Sequence, residues 1–242
     1  MKFFKKKKIL LLRTGFTLLL LVLALLVYFQ IFIAPKLNNE AGRLPTLVEQ
    51  MVHKHAGTYV SLKDVSPFVN EAAVASQDEG FYSNSGVDLL GTARAIFFSL
   101  VSGQRQGAST ITEQLAKNVY YNDVDNLKTD LLTKGLAIAI SGKYPKDTVL
   151  EYYLNVIYFG RNAYGIGQAS ETYFGVVPKK LTIGQAAFLV GLVNYPSYLG
   201  THLQSALDQA HLVLESMAAD HAISNNQEED SFASLEAYFQ AK

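Results

Sequence analysis

The sequence predicts a mainly α-helical domain carried behind one membrane-crossing helix. Three observations predict it. Residues 15–34 read GFTLLLLVLALLVYFQIFIA, an apolar run interrupted only by Thr17 and Gln30. Downstream, apolar residues recur at helical spacing in segment after segment. Neither a strand-rich stretch nor an internal repeat is visible between them. About 20 residues at helical rise cross the roughly 30 Å of a bilayer's hydrocarbon. Lys2, Lys5, Lys6, Lys7, Lys8 and Arg13 precede the run without an acid among them, which predicts a cytoplasmic N-terminus and a domain outside. A cleaved signal peptide fits less well. Its apolar core is usually shorter and ends in small residues, whereas this one leaves through Phe29, Ile31, Phe32 and Ile33.

Residues 35–58 are mixed in character and are read as a tether and a first helix. Asp64 to Ser76 carries Phe68, Val69, Ala72, Ala73 and Val74, and Asn84-Ser85-Gly86 is turn chemistry. Leu89 to Val101 is strongly apolar. Thr110 to Val119 has helix composition with Ser109 or Thr110 as a natural N-cap. Further helices are expected over Leu131 to Ile140, Asp147 to Ile157, Leu181 to Leu192 and Leu203 to Met217, with a glycine-rich connection at Gly160 to Gly167. The expected divisions are a basic cytoplasmic N-terminus at 1–14, an anchor at 15–34, the tether at 35–58, a domain at 59–220 and an acidic, partly disordered tail at 221–242.

Apolar residues make up 49% of the 242, so wholesale disorder is excluded. Six of the 21 basic residues lie in the first 13 positions, leaving 15 against 21 acidic ones in the remainder. That mildly acidic balance offers no surface for nucleic acid. The chain has no cysteine, which removes disulfides and thiolate metal sites. His53, His55, His202, His211 and His221 show no metal-ligand spacing with carboxylates, so no metal site is expected.

Several stretches then fall in a specific order. Gln77-Asp78-Glu79-Gly80-Phe81-Tyr82 leads to Gly86-Val87-Asp88. Gln106-Gly107-Ala108-Ser109-Thr110-Ile111-Thr112-Glu113-Gln114-Leu115-Ala116-Lys117-Asn118 follows. Lys146-Asp147, Leu150-Glu151, Tyr153-Leu154-Asn155, Tyr158-Phe159-Gly160 and Tyr173-Phe174-Gly175 come later. Over residues 60 to 217 this resembles the peptidoglycan glycosyltransferase domain (glycosyltransferase family 51) of penicillin-binding proteins and monofunctional transglycosylases. With no transpeptidase-like segment following, the monofunctional type is the nearer. The resemblance implies a lysozyme-like, two-lobed helical fold. It also implies polymerisation of lipid II at the outer face of the cytoplasmic membrane, with lipid II or a glycan strand, the membrane and other cell-wall synthesis proteins as partners. It implies no cofactor, although a divalent cation at the pyrophosphate is compatible with the chemistry.

Polymerisation needs a base for the acceptor hydroxyl and charge stabilisation for a departing pyrophosphate. A positioned carboxylate base contributes roughly 10²–10⁴-fold. The family's first glutamate falls on Gln77, just before Asp78. A carboxamide keeps the shape but cannot act as a base near neutral pH. Counting back from Tyr153-Leu154-Asn155, the family's second glutamate falls on Thr133, and its arginine–lysine pair on Thr129 and Asp130. Asn84 stands at a family histidine. The second motif is nearly intact: Ser109, Thr110, Gln114, Lys117 and Asn118 match, with Glu113 in place of a glutamine. The resemblance puts these residues and Glu151 in substrate binding. Asn155 and Gly160 match as well and read as structural.

Two functions compete. A degenerate member would bind lipid II or glycan with absent or strongly reduced polymerisation. Alternatively, an active polymerase would use relocated carboxylates, with Asp78, Glu79, Glu113 and Asp130 as candidates. The second reading has to overcome geometry, because a displacement of about 1 Å costs about 100-fold. Lysozyme-like cleavage needs two carboxylates roughly 5–9.5 Å apart across the bond and has no motif here.

Overall fold

The computed structural model describes residues 2–88, 91, 109–121 and 126–241. The apolar run at Leu89 to Val101 lies outside the described residues, save for Gly91, as do Gln106, Gly107 and Ala108. Helix α1 spans Lys2–Tyr28 and passes through a π-helical turn, Phe29–Ile33, into α2, Ala34–Gly42. Within it, the most apolar 18 residues of Thr14–Gly42 have a mean hydropathy of 2.7, and none of them is buried against protein. It is long and apolar enough to cross a membrane.

Residues 35–58 are no loose tether. Helix α3, Leu44–Lys54, follows α2 almost without a break, and Leu37, Ala41, Leu44 and Val48 are buried in the core. Pro35 and Pro45 sit in the first turns of these two helices, where a missing N–H costs nothing. The remaining helices are α4, Pro67–Gln77; α5, Ile111–Tyr121; α6, Leu127–Lys143; α7, Lys146–Val156; α8, Gly165–Phe174; α9, Ile183–Leu192; a single turn α10, Pro196–Leu199; α11, Leu203–Ala219; and α12, Asn225–Gln240. The described residues contain no strand, only one isolated bridge between Tyr158 and Tyr164.

The helices form two groups. Helices α4, α9, α11 and α12 pack on one another, while α2, α3, α5, α6 and α7 form the second set, and α8 contacts both α7 and α9. A continuous core runs through both, with Phe81, Tyr153, Phe159, Phe188, Ile111 and Leu150 among its largest wholly covered side chains. The mainly α expectation holds.

The acidic tail is a correction. Residues after Asn225 form α12, opened by a capping box between Ser224 and Gln227. Leu235 is buried, and Phe239 stacks among Phe174, Phe188 and Tyr238. The acidic residues occupy the solvent side, so composition alone misled. Likewise α6 starts four residues before the apolar run at Leu131, because Asn126 caps it by accepting from the Thr129 N–H at 2.9 Å.

One glycine positions the first motif. Gly86 has φ +93°, and a Cβ there would lie 2.3 Å from the Ala137 carbonyl oxygen. Only glycine lets the 78–88 loop lie this close to α6.

Candidate functional site

The site grows from the junction of α4 and α5. Gln77 is the last residue of α4, and Asp78 follows as its C-cap. Asp78 is 8% exposed. One carboxylate oxygen accepts from Asn84 Nδ2 at 2.9 Å, and the other from the Ile111 N–H at 3.1 Å. A carboxylate at the N-terminus of α5 satisfies an N–H that the helix leaves open and meets the positive end of its dipole. Burial pushes the Asp78 carboxyl up, and the Asn84 and Ile111 bonds and the Lys146 charge oppose it. Asn84 Oδ1 accepts from Lys146 Nζ and from the Gly86 N–H, both at 2.9 Å. Thr110 donates to the Gly86 carbonyl at 2.7 Å and accepts from the Glu113 N–H at 3.0 Å, capping α5. Asp78, Asn84 and Thr110 together fasten the first motif to the second.

Gln77 joins a line of amides. Its Oε1 accepts from Gln114 Nε2 at 3.2 Å, and Gln114 Oε1 accepts from the Tyr153 hydroxyl at 3.1 Å. Tyr153 is 1% exposed, and burial raises its phenol well above the usual range, so it remains a donor. A carboxylate at position 77 would accept the same bond from Gln114.

The third feature is Glu113, 4% exposed, with Oε2 2.8 Å from Lys134 Nζ on α6. Its other oxygen, together with Thr112 Oγ1 and Thr133 Oγ1, is buried without a hydrogen-bond partner among the described residues. Burial pushes the Glu113 carboxyl up, Lys134 pulls it down, and Asp78 and Asp130 add to the rise. Thr129 and Thr133 are buried, whereas Asp130 and Glu79 are exposed. Three unpartnered polar atoms on residues of α5 and α6 contrast with the paired polar groups usual in protein interiors.

Gln114, Lys117 and Asn118 are half-buried and share one face of α5, and Ser109 is exposed just before it. Glu151 is engaged elsewhere. It accepts from the Tyr59 hydroxyl at 2.5 Å, the Leu62 N–H at 2.6 Å and the Ser61 hydroxyl at 3.3 Å. Asn155 exchanges both backbone bonds with Val60 at 2.8 Å each. These two residues hold the 59–62 segment against α7, away from Gln77. Lys134 and the Tyr153 hydroxyl were not singled out from sequence. Lys134 follows Thr133 directly, but its partner lies 21 residues away on another helix.

An apolar leading helix, a mainly helical domain and motif stretches converging in this order are the build of a peptidoglycan transglycosylase domain. Residues 45–218 match the family described as Transglycosylase. Penicillin-binding protein 1A of Mycobacterium tuberculosis is 39% identical over 173 residues, covering 69% of this chain and 21% of that protein. Penicillin-binding protein 2a of Streptococcus pneumoniae is 33% identical over 221 residues, 86% of this chain and 30% of that protein. A monofunctional glycosyltransferase of Staphylococcus saprophyticus is 32% identical over 187 residues, 74% of this chain and 69% of that protein. The chain belongs to the Transglycosylase family. It spans less than a third of the length of the two penicillin-binding proteins.

Proposed function

We propose that this is a single-pass, membrane-anchored protein of cell-wall synthesis that binds lipid II or a glycan strand and polymerises it weakly or not at all. Its N-terminus is cytoplasmic and its domain stands on the outer face of the cytoplasmic membrane, where other cell-wall synthesis proteins are its further partners. The observation that carries the reading is Gln77. Its carboxamide bonds to Gln114, and through it to Tyr153, where the family glutamate would be. The frame that would hold a base is kept and the base is missing. Thr133, at the second glutamate position, leaves a hydroxyl without a partner.

Placement against a membrane has support outside the anchor. Leu131 and Ile138, seven residues apart on α6, are 66% and 50% exposed. A groove of about 480 Å³ separates α6 from the end of the apolar helix, lined by Phe29, Leu37, Gly135, Ala139 and Lys143. Substrate binding falls to the α5 face of Gln114, Lys117 and Asn118, with Ser109 and Thr110 before it. Lysine, hydroxyl and amide donors suit an anionic diphosphate. The carboxylates that a hard cation would seek, Asp78 and Glu113, already serve Asn84, Ile111 and Lys134, so the reading places no metal there.

The test is polymerisation of labelled lipid II by the detergent-solubilised protein beside an active relative and an enzyme-free blank, with a binding titration on the same material. Saturable binding without strands is expected. Strands well above the blank would sink the degenerate reading. A specific observation favours one alternative in that event. Glu113 is a buried carboxylate of raised pKa in the second motif, the environment that tunes a general base. Strand formation abolished by Glu113→Gln would identify it as the relocated base. Against that role, both of its oxygens are covered, one by Lys134.

A further inference from the structure

A second group of ligand-type side chains stands where α11 meets α12, far along the chain from the motifs. His211 and Glu215 are four residues apart and therefore neighbours on one face of α11. Glu228 lies in the first turn of α12. His211 Nε2 is 3.5 Å from Glu228 Oε1. One donor atom from each of His211, Glu215 and Glu228 can be chosen so that all three lie within 4.8 Å of one another. The His211 ring lies nearly parallel on Phe232, 4.4 Å between centroids at 17°. The sequence reading found no metal spacing for His211. The His-x₃-Glu pair is that spacing, and it gains a third ligand only through the turn that brings α12 back.

The distances suit a small tetrahedral ion. Two ligands each about 2.1 Å from such an ion lie about 3.4 Å apart, close to the His211–Glu228 separation. Glu215 is exposed and free to swing inward. One imidazole with two carboxylates matches the donor set of mononuclear zinc sites, with water completing the fourth position.

We propose that His211, Glu215 and Glu228 form a zinc site that clips the start of α12 to α11. The packing shows where such a clip acts. The apolar grip of α12 comes from Phe232 onward, through Leu235, Tyr238 and Phe239, whereas Asn225, Asn226, Gln227, Glu229 and Asp230 are exposed. Zinc would secure the turns that packing leaves unsecured.

The experiment is calorimetric titration of zinc chloride into the full chain in detergent, purified without a polyhistidine tag and stripped with chelator. One saturable zinc per chain is expected. His211→Ala and Glu228→Gln should each weaken it at least tenfold, and Glu215→Gln by a smaller factor. Hydrogen exchange over residues 225–231 should slow on zinc addition in the wild type and not in the variants. If His211→Ala fails to match the metal-free unfolding temperature of the wild type, Glu215→Gln carries the test, since an exposed glutamate can be replaced without disturbing the fold. Absence of saturable uptake would overturn the proposal, as would unchanged uptake in the variants, which would put zinc on other histidines. Uptake that leaves exchange in α12 unaltered would overturn the clip.

Discussion

Helix α7 faces two regions that treat polar groups in opposite ways. On one side, Glu151 and Asn155 grip the 59–62 segment. Both carboxylate oxygens and both ends of the carboxamide have partners, several of them backbone groups. On the other side, Lys146 and Tyr153 reach the α4–α5–α6 centre. There Gln77 and Glu113 stand where the resemblance leads one to expect a glutamate and a glutamine, and three buried oxygens lack partners among the described residues. Family motif residues of the first kind maintain the fold whatever the protein does. Those of the second kind surround Gln77 and Thr133, the positions that the resemblance assigns to chemistry. The difference teaches that matching a motif residue does not make it part of a reacting site. Glu151 and Gln114 match equally well, yet only Gln114 touches Gln77.

The largest effect should come from breaking the saturated side. Asn155 is 5% exposed and makes three bonds of 2.8 Å. Asn155→Ala strands the Val60 N–H and carbonyl, while the Glu151 carbonyl keeps its bond within the helix. Each stranded group costs roughly 1–3 kcal/mol, less where water reaches it, so about 3 kcal/mol is expected in total. For a domain of this size that lowers Tm by about 10 °C in thermal unfolding followed by circular dichroism. Gln77→Ala gives up its bond to half-buried Gln114 and a long one, 3.5 Å, to the Ser76 hydroxyl, and should cost about 1 kcal/mol. Equal losses at the two positions would erase the distinction.

Sharpening the comparison from the other side means restoring the chemistry. Gln77→Glu alone leaves the frame intact, since Gln114 can donate to a carboxylate, yet Thr133 still lacks a charge. It should raise lipid II polymerisation less than tenfold. Combining it with Thr133→Glu and Glu113→Gln puts a carboxylate at both expected glutamate positions and an amide at 113. A gain of about 100-fold or more over wild type is expected, the lower end of what a positioned base contributes. A triple variant that folds and binds substrate but shows no gain would mean that Thr129 and Asp130 matter more than the two glutamates.

How much of this was legible beforehand follows from the range of each signal. Helices α4, α5, α7, α9 and α11 could be read to within a few residues, because each buries an apolar stripe of its own. The Thr110 cap was visible because capping is local. Helix α12 was missed although Phe232, Leu235 and Phe239 fall at helical spacing, because acidic composition outweighed them. The expectation that Gln77 and Thr133 stand at the family's glutamate positions came from motif order alone. The partners were not: Glu113–Lys134, Asp78–Asn84–Lys146 and Gln77–Gln114–Tyr153 join residues separated by 21 to 62 positions on one or both links. No periodicity reports which helices will touch.

The smallest expected effect is the most specific to the altered centre, and its sign can be worked out. The folded-state pKa of Glu113 is raised above the ordinary 4.5, by burial first, with Lys134 only partly offsetting it. A carboxyl with a raised folded pKa holds its proton better in the folded chain than in the unfolded one. Its contribution to stability is therefore fully present below the unfolded value and is lost as pH rises through the folded value. Ionised Glu113 is therefore a net burden as pH rises, and Lys134, about a third exposed, can turn to water without it. Glu113→Gln should raise Tm at pH 7 by about 2–4 °C, corresponding to about 1 kcal/mol. The gap should close as pH falls to 4.5, measured by thermal unfolding of both proteins across that range. A glutamine variant that is less stable at pH 7 would make the Glu113–Lys134 pair a net stabiliser. The centre would then be as well paired as the Glu151 side, and the contrast between the two faces of α7 would fail at its most charged point.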